Sequence, residues 1–419
     1  MMKRSVVVTY LLVFAVAVAH AQNNTSPYSI IGIGDLEKSM FDRTSGMGHA
    51  GIALSSNRFL YQGNPASYAK IDEHYFYVEV SSRFKGVAYS GAPITDPTQA
   101  NSSDLQFKKI VLAIKPKPKW ALSIGLLPFS TSNYSFYGKK TVQGSNYTAD
   151  AYYEGSGSTN QFYVANSFAL TKNFSVGVQA SYLFGQMEEK ETLAATVSDT
   201  SLITTRNIYL GSPYLKLGAQ YRIRLNRQWD VSLGATIANK TRLNANYDLE
   251  VKEGTTTIIS NASYKSNYFT IPLTYAGGLA VTYKDAYTFA IDYDHQDWSN
   301  LNYKGISYSL VNSQKIAAGF EYSKKQRYLD QSFEKYFLQT GVFYNNSYLR
   351  IAGQQLKDFG ATFGAGVQLN RSGLGLQGSV EVGQRGTTAA NLIKEKYTQV
   401  NFTISYRDFW YSRKMKKYN

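Results

Sequence analysis

The sequence predicts an all-β chain folded as a transmembrane antiparallel β-barrel of about 14 strands. Three observations predict it. Apolar and polar residues alternate with period two along most of the chain, the connections alternate between tight turns and longer polar stretches, and aromatic residues are abundant in a chain that is not hydrophobic overall. There are 35 Tyr and 22 Phe, yet the mean hydropathy is −0.30. Beyond the N-terminus no run of roughly 20 apolar residues offers a membrane-spanning helix. The absence of cysteine excludes disulfides, thiolate metal sites, a cysteine nucleophile and a lipoprotein anchor.

The N-terminus reads as a signal peptide over residues 1–21. Lys3-Arg4 is a basic start, Val6 to Ala19 is largely apolar, and Ala19-His20-Ala21 supplies a small-x-small cleavage pattern. Cleavage near Ala21 would leave Gln22 as the mature start of an exported chain, and export with the barrel pattern predicts the outer membrane of a Gram-negative bacterium. Lys and Arg number 44 against 29 Asp and Glu, a net charge of +15. The basic residues are scattered, and the only dense run is Arg413-Lys414-Met415-Lys416-Lys417, within a tail over 410–419. In an exported chain this charge suits anionic lipid headgroups or lipopolysaccharide and gives no case for nucleic acid.

Strands are expected near 74–90, 105–115, 119–137, 160–170, 174–187, 208–224, 228–246, 267–283, 287–298, 309–322, 336–349, 358–369, 374–385 and 397–409. The alternation is plain in Trp229, Val231, Leu233, Ala235 and Ile237 against Asp230, Ser232, Gly234, Thr236 and Ala238. The same rule puts Asp292, Asp294, Glu381 and Arg407 on the lumen side. A soluble sandwich would also alternate, so the connections decide. Pro116 to Pro118, Thr171 to Asn173, Leu225 to Arg227, Lys284 to Ala286 and Asn370 to Gly373 are tight turns. Stretches near 91–104, 138–159, 188–207 and 247–266 are long and polar, and are read as extracellular loops. Tyr406, Phe409, Trp410 and Tyr411 crowd the last strand, as an interfacial aromatic belt requires.

Residues 22–72 do not alternate and are rich in glycine. They carry Ser45-Gly46-Met47-Gly48 and then Asn64-Pro65-Ala66. Here the sequence resembles the long-chain fatty acid transporter (FadL-like) family, in which a Ser-Gly-x-Gly stretch and an Asn-Pro-Ala motif mark an N-terminal hatch. Asp292-Tyr293 with Asp297-Trp298-Ser299, Ile271-Pro272 before Gly277-Gly278, and Gly341 to Ser347 are similar to later family segments. Ser26-Pro27-Tyr28-Ser29 together with Gly383 to Gly386 and Leu392-Ile393 resembles one subgroup. The resemblance implies a hatch over 22–72 inside the lumen of a barrel over 73–409. Ser45, Gly46, Gly48, Asn64, Pro65 and Ala66 would form the hatch motif, and 45–66 would floor a pocket of mixed polarity. It also implies lateral exit of a ligand through a kinked strand, for which Pro128 in Leu126-Leu127-Pro128-Phe129 is the candidate, since proline removes a ladder donor. Two features depart from the family. The stretches matching its capture loops are short and polar, and residues follow Phe409, where the family normally ends.

No catalytic, metal or cofactor pattern is present. His49, His74 and His295 are far apart and lie in no paired-ligand spacing, and the glycine-rich stretches lack the Lys-Ser/Thr of a phosphate loop. Two functions remain. One is passive uptake of small hydrophobic molecules. The other is service as a non-transporting subunit of an outer-membrane machine that engages other barrels and lipoproteins.

Overall fold

A computed structural model of the protein describes residues 26–409 apart from 92–99, 142–147, 195–199, 306, 329–330 and 370–372. The expected signal segment and the basic tail lie outside the described residues.

Fourteen antiparallel strands close on themselves. They are β1 (Tyr75–Ser90), β2 (Asn101–Lys117), β3 (Trp120–Thr131 and Tyr134–Thr141), β4 (Thr148–Ala169), β5 (Phe174–Leu193), β6 (Leu202–Arg224) and β7 (Trp229–Ala238 and Thr241–Glu253). The circuit continues through β8 (Thr256–Ile271 and Thr274–Tyr283), β9 (Tyr287–Gln296), β10 (Ser313–Tyr328), β11 (Gln331–Ile351), β12 (Gln354–Leu369), β13 (Leu374–Gly386) and β14 (Lys394–Phe409). Pairing of β14 with β1, from Lys394 opposite Ser90 to Phe409 opposite Tyr75, completes it. Closure gives each strand two neighbours around the circuit, the condition for crossing lipid with strands.

The period-two pattern sorts the faces as expected. Leu233, Ile237, Phe289 and Ile291 are exposed on the outside, whereas Asp292, Glu321, Glu381 and Gln399 are buried within. At the end bearing the tight turns, Trp229, Tyr283, Tyr287 and Tyr322 lie side by side across four strands. Tyr275 sits on the same face of β8 eight residues from Tyr283. That spacing covers ~26 Å of strand, close to the height of an apolar band.

Of the expected long loops, 92–99, 142–147 and 195–199 lie outside the described residues, and the described remainder of 138–159, 188–207 and 247–266 is not loop. Most of each continues a strand: β4 pairs with β5 as far as Ala151 opposite Leu193, and β6 with β7 as far as Leu202 opposite Glu253. The upper parts of β3 to β8 thus form a six-stranded wall standing beyond the barrel at the end opposite the tight turns. Thr, Tyr and Ile favour extended backbone there. With solvent on both faces the wall needs no alternation, so its sequence resembles a loop.

Residues 26–72 form short 3₁₀ turns, and their backbone lies directly on inward-facing glycines of the barrel strands beneath that extension. Gly177 and Gly218, which face each other across β5 and β6, leave room for Asn64 to Ala66. Gly234 and Gly278, across β7 and β8, accommodate Ile52 and Ala53. Gly319 and Gly341, across β10 and β11, accommodate Met47 and Gly48, and Gly364 on β12 meets Gly46. A Cβ at Gly177, Gly234, Gly319, Gly341 or Gly364 would collide with backbone, one at Gly218 with the Asn64 and Pro65 side chains, and one at Gly278 with the Asp292 carboxylate. The Gly341→Val substitution is expected to cost about 1–3 kcal/mol by overpacking. It should lower the temperature at which the barrel loses its compact mobility in heat-modifiability gels. Gly277→Val, on the outer face where almost nothing lies near, should leave that temperature unchanged.

Candidate functional site

The interior seam between residues 26–72 and the wall gathers most of the buried charge. Arg43, at the start of a 3₁₀ turn capped by Asp42, spends its whole guanidinium on two carboxylates. Its Nε and Nη2 donate to Glu321 at 2.8 and 2.6 Å, and its Nη1 and Nη2 donate to Glu334 at 2.8 and 2.7 Å. The guanidinium lies between the rings of Phe59 and Phe337, 4.2 and 3.9 Å from their centroids. Such a planar fork suits Arg and not Lys. Asp42 itself accepts from the backbone of Thr44 and Gln62, tying two turns of the segment together.

The residues picked out by sequence fall along the same seam. Asn64 caps the turn Pro65–Lys70 by accepting from the Ala66 amide at 3.0 Å, and its Nδ2 donates to the carbonyls of Ile52 and Ala219. Ser167 on β4 holds the same turn, donating to the Ala66 carbonyl and accepting from the Ala69 amide. Gly46 lies against Gly364, Ser45 is buried beside Ser39, and the Gly48 amide donates to Thr362 at 2.7 Å. Asp292 accepts from the amides of Gly51 and Ile52 at 2.6 and 2.9 Å. Glu381 bonds His49, Tyr397 and Gln399. Arg407 is at the turn end, paired with Asp72 at 3.0 Å. Asp294 does not join these contacts and faces a cavity instead. Of the other histidines, His74 is exposed just before β1, and His295 stacks on Tyr275. The Tyr28 hydroxyl donates to the Ile393 carbonyl and accepts from its amide, so Ser26 to Ser29 and Leu392-Ile393 meet in space.

Sequence reasoning did not single out Arg43, Glu321, Glu334, or the strap Asp35–Leu36 with Glu37 and Lys38. The strap pairs with β3, Leu36 opposite Ser130 and Asp35 opposite Thr131. It can do so because the ladder between β2 and β3 stops at Ile110 opposite Leu126. Two irregularities open that gap. The β3–β4 register shifts between Pro128 and Ser130, and the β1–β2 register shifts between Ser81 and Ser82, which turns both Lys108 and Lys109 inward. Lys109 then pairs with Glu79 at 2.8 Å, and Lys108 approaches Glu37 at 3.5 Å. Arg385 donates to Asp35, and Lys38 pairs with Asp358. The adjacent lysines on one strand were the available signal.

Beside the gap lies a cavity of about 200 Å³. Pro128, Phe129, Tyr214, Ile271 and Trp298 supply apolar lining, and Lys216, Asp294, Lys315 and Arg385 supply charge. A larger vestibule of about 630 Å³ opens at the turn end, lined by Arg58, Lys70, Arg222, Asp230 and Arg407. Among the described residues no cluster of His, Asp or Glu is arranged to hold a metal ion. The seam fastens the inner segment, and a second cavity of about 110 Å³, lined by Glu37, Asp104 and Thr131, lies along the same strap.

Burial alone would raise the Glu37 carboxyl, but Lys108, Arg83 and Lys85 outweigh it and hold it down to about 2 from an ordinary 4.5. Its lowered value means that its hold on the strap is complete above pH 4.5 and fades as the pH falls towards 2. Proteolysis at Lys38 should therefore rise across that window, whereas Glu37→Gln should be cut faster already at neutral pH. Removing Arg43 leaves two buried carboxylates unpaired, so Arg43→Met should destabilise the fold by about 3–5 kcal/mol. Adding Glu321→Gln and Glu334→Gln should restore part of that loss in thermal unfolding.

Fold and seam together define a class: a fourteen-stranded barrel of the outer-membrane type whose lumen is occupied by its own N-terminal segment. Within it, the chain belongs to the BamG family, whose model matches residues 1–419. No curated protein matches the sequence. Among solved structures, a Pseudomonas aeruginosa FadL homologue is similar over 91% of this chain and 100% of its own, with a TM-score of 0.64 and 14% identity. The Ralstonia pickettii toluene transporter TbuX aligns over 88% of this chain and 97% of its own, with a TM-score of 0.59 and 13% identity. The Pseudomonas putida toluene transporter TodX aligns over 90% and 100%, with a TM-score of 0.56 and 13% identity. At such identities the likeness is one of fold.

Proposed function

We propose that this protein is an integral, non-conducting subunit of an outer-membrane machine of the barrel-assembly or secretion kind, engaging other barrels and surface lipoproteins. The observation that carries this reading is the fixing of the inner segment. Its backbone rests on paired glycines on β5 to β8 and on β10 and β11, and its charges pair with β10, β11, β12 and β13. Moving it would strip buried carboxylates on several strands of their partners at once, a cost of several kcal/mol for each broken pair. Residues 22–72 then act as a permanent plug, with Ser45, Gly46, Gly48, Asn64, Pro65 and Ala66 as its fastening. Membership of the BamG family supports the reading. The polar wall supports it too, since no apolar groove for first capture is found among the described residues. On this account the chain is exported by its signal peptide, cleaved near Ala21, and its basic tail meets lipid or a partner at the turn end.

The second reading is passive uptake of a small hydrophobic molecule. The ladder gap beside Pro128 favours it, because the cavity there has an apolar side and similar barrels are described as toluene transporters. The two readings part on purification of the native protein in mild detergent, with mass spectrometry of the proteins and lipids recovered. A stoichiometric barrel or lipoprotein partner, and no toluene entry into reconstituted vesicles, is the expected result. A solitary barrel carrying a hydrophobic molecule, with toluene entry lost on widening or closing the gap at Pro128, would replace it with the second reading.

A further inference from the structure

The wall formed by the upper parts of β3 to β8 is open on both sides, unlike the barrel beneath it. Its two edges are built differently. One is Tyr134–Thr141 of β3, which among the described residues pairs with β4 alone and carries Lys139 and Lys140. Lysines on an edge strand deter a second strand from docking. The other is the upper segment of β8, Thr256–Ile271, whose only strand partner among the described residues is β7. Tyr303 covers its base by stacking on Phe269, at 5.0 Å between ring centroids. From Gly254 to Tyr264 the sequence has neither a charge nor a proline. Ile258, Ile259 and Tyr264 are 55%, 40% and 46% exposed. A β-prone, uncharged edge on a folded protein invites pairing unless something covers it.

We propose that this edge of β8 is a docking site at which an extended segment of a different protein adds a seventh strand to the wall. The inference rests on the subunit reading and names the surface such a subunit would use. An extended backbone is the one ligand whose donors and acceptors repeat at the spacing of an unpaired edge. The pairing with β7 shifts register around Val251, so Ile258 stands opposite no residue of β7. It and Ile259 lie exposed beside the free edge as apolar contact for the added strand. The partner segment is therefore uncharged, with β-branched or aromatic residues where it meets them. This chain's own C-terminal residues leave after Phe409 at the opposite end of the barrel. A second copy in the same bilayer would be related by an axis along the membrane normal. Its edge would then lie parallel and in phase, with outward N–H groups facing outward N–H groups.

The test uses the full chain in its native cells, with a photo-crosslinking residue placed singly at Thr256, Thr257, Ile258, Ile259 or Ser260. Control sites are Tyr137 on the guarded edge and Val342 on the lipid-facing wall. Each is repeated in a variant carrying Ile258→Lys or Ile259→Lys away from the probe, checked for folding by heat modifiability. The expected result is an adduct with one protein from the β8 sites, absent at Tyr137, and reduced by about tenfold or more by the lysine guard. Adducts only between copies of this chain, adducts indifferent to the guard, or no adduct from these sites would overturn the proposal. If partners still co-purify with a folded guard variant at wild-type yield, the edge is wrong and the subunit reading stands. If the wild-type protein purifies alone and gives no adducts, both fall.

Discussion

The structure depends on how closely the inner segment approaches the wall. Facing pairs of glycine, Gly177 with Gly218, Gly234 with Gly278 and Gly319 with Gly341, remove side chains where two backbones must touch. Glycine costs strand stability, roughly 0.5–1 kcal/mol relative to Ala at each position, and the contacts it permits repay that cost here. With the backbone this near, short side chains reach across. Asp292 meets two amides of the segment, Thr362 meets a third, and Ser167 holds the Asn64 turn. The charged pairs add direction to this packing, because Arg43 fits only where both Glu321 and Glu334 converge between two aromatic rings.

The ladder gap follows from two local irregularities that act together. Pro128 supplies no N–H, and the register slips beside it on β3, while the slip on β2 turns two successive lysines into the lumen. Together they free an edge of β3, and the strap Asp35–Leu36 occupies part of it. A backbone edge inside a membrane barrel is tolerated when protein covers it. The strap's charges, held by Lys108, Arg385 and Asp358, keep that cover in place at neutral pH.

Much of this was legible in the residues. Period two and the tight turns gave fourteen strands, and inward positions such as Asp292 and Glu381 followed from parity alone. The glycine-rich start, with Ser45 to Gly48 and Asn64 to Ala66, announced a segment unlike the strands, and Pro128 marked the irregular one. The partners of that segment were not legible. Arg43 and Glu334 lie 291 residues apart, and no local pattern relates them. The wall was misread for a different reason: both faces of 188–207 and 247–266 meet solvent, so polar and apolar residues mix without the alternation that identifies a strand in lipid.

The central claim is that the inner segment is a fixed part of the barrel. Hydrogen exchange at the amides of Gly48, Gly51, Ile52 and Ala69 tests it most directly, since each donates to a wall side chain. In the folded barrel in detergent or nanodiscs, these amides should exchange as slowly as those of the strands beneath them, opening only with the whole barrel. Exchange orders of magnitude faster than the strands, with the strands themselves still protected, would mean that the segment swings free while the barrel stays closed, and would contradict the account.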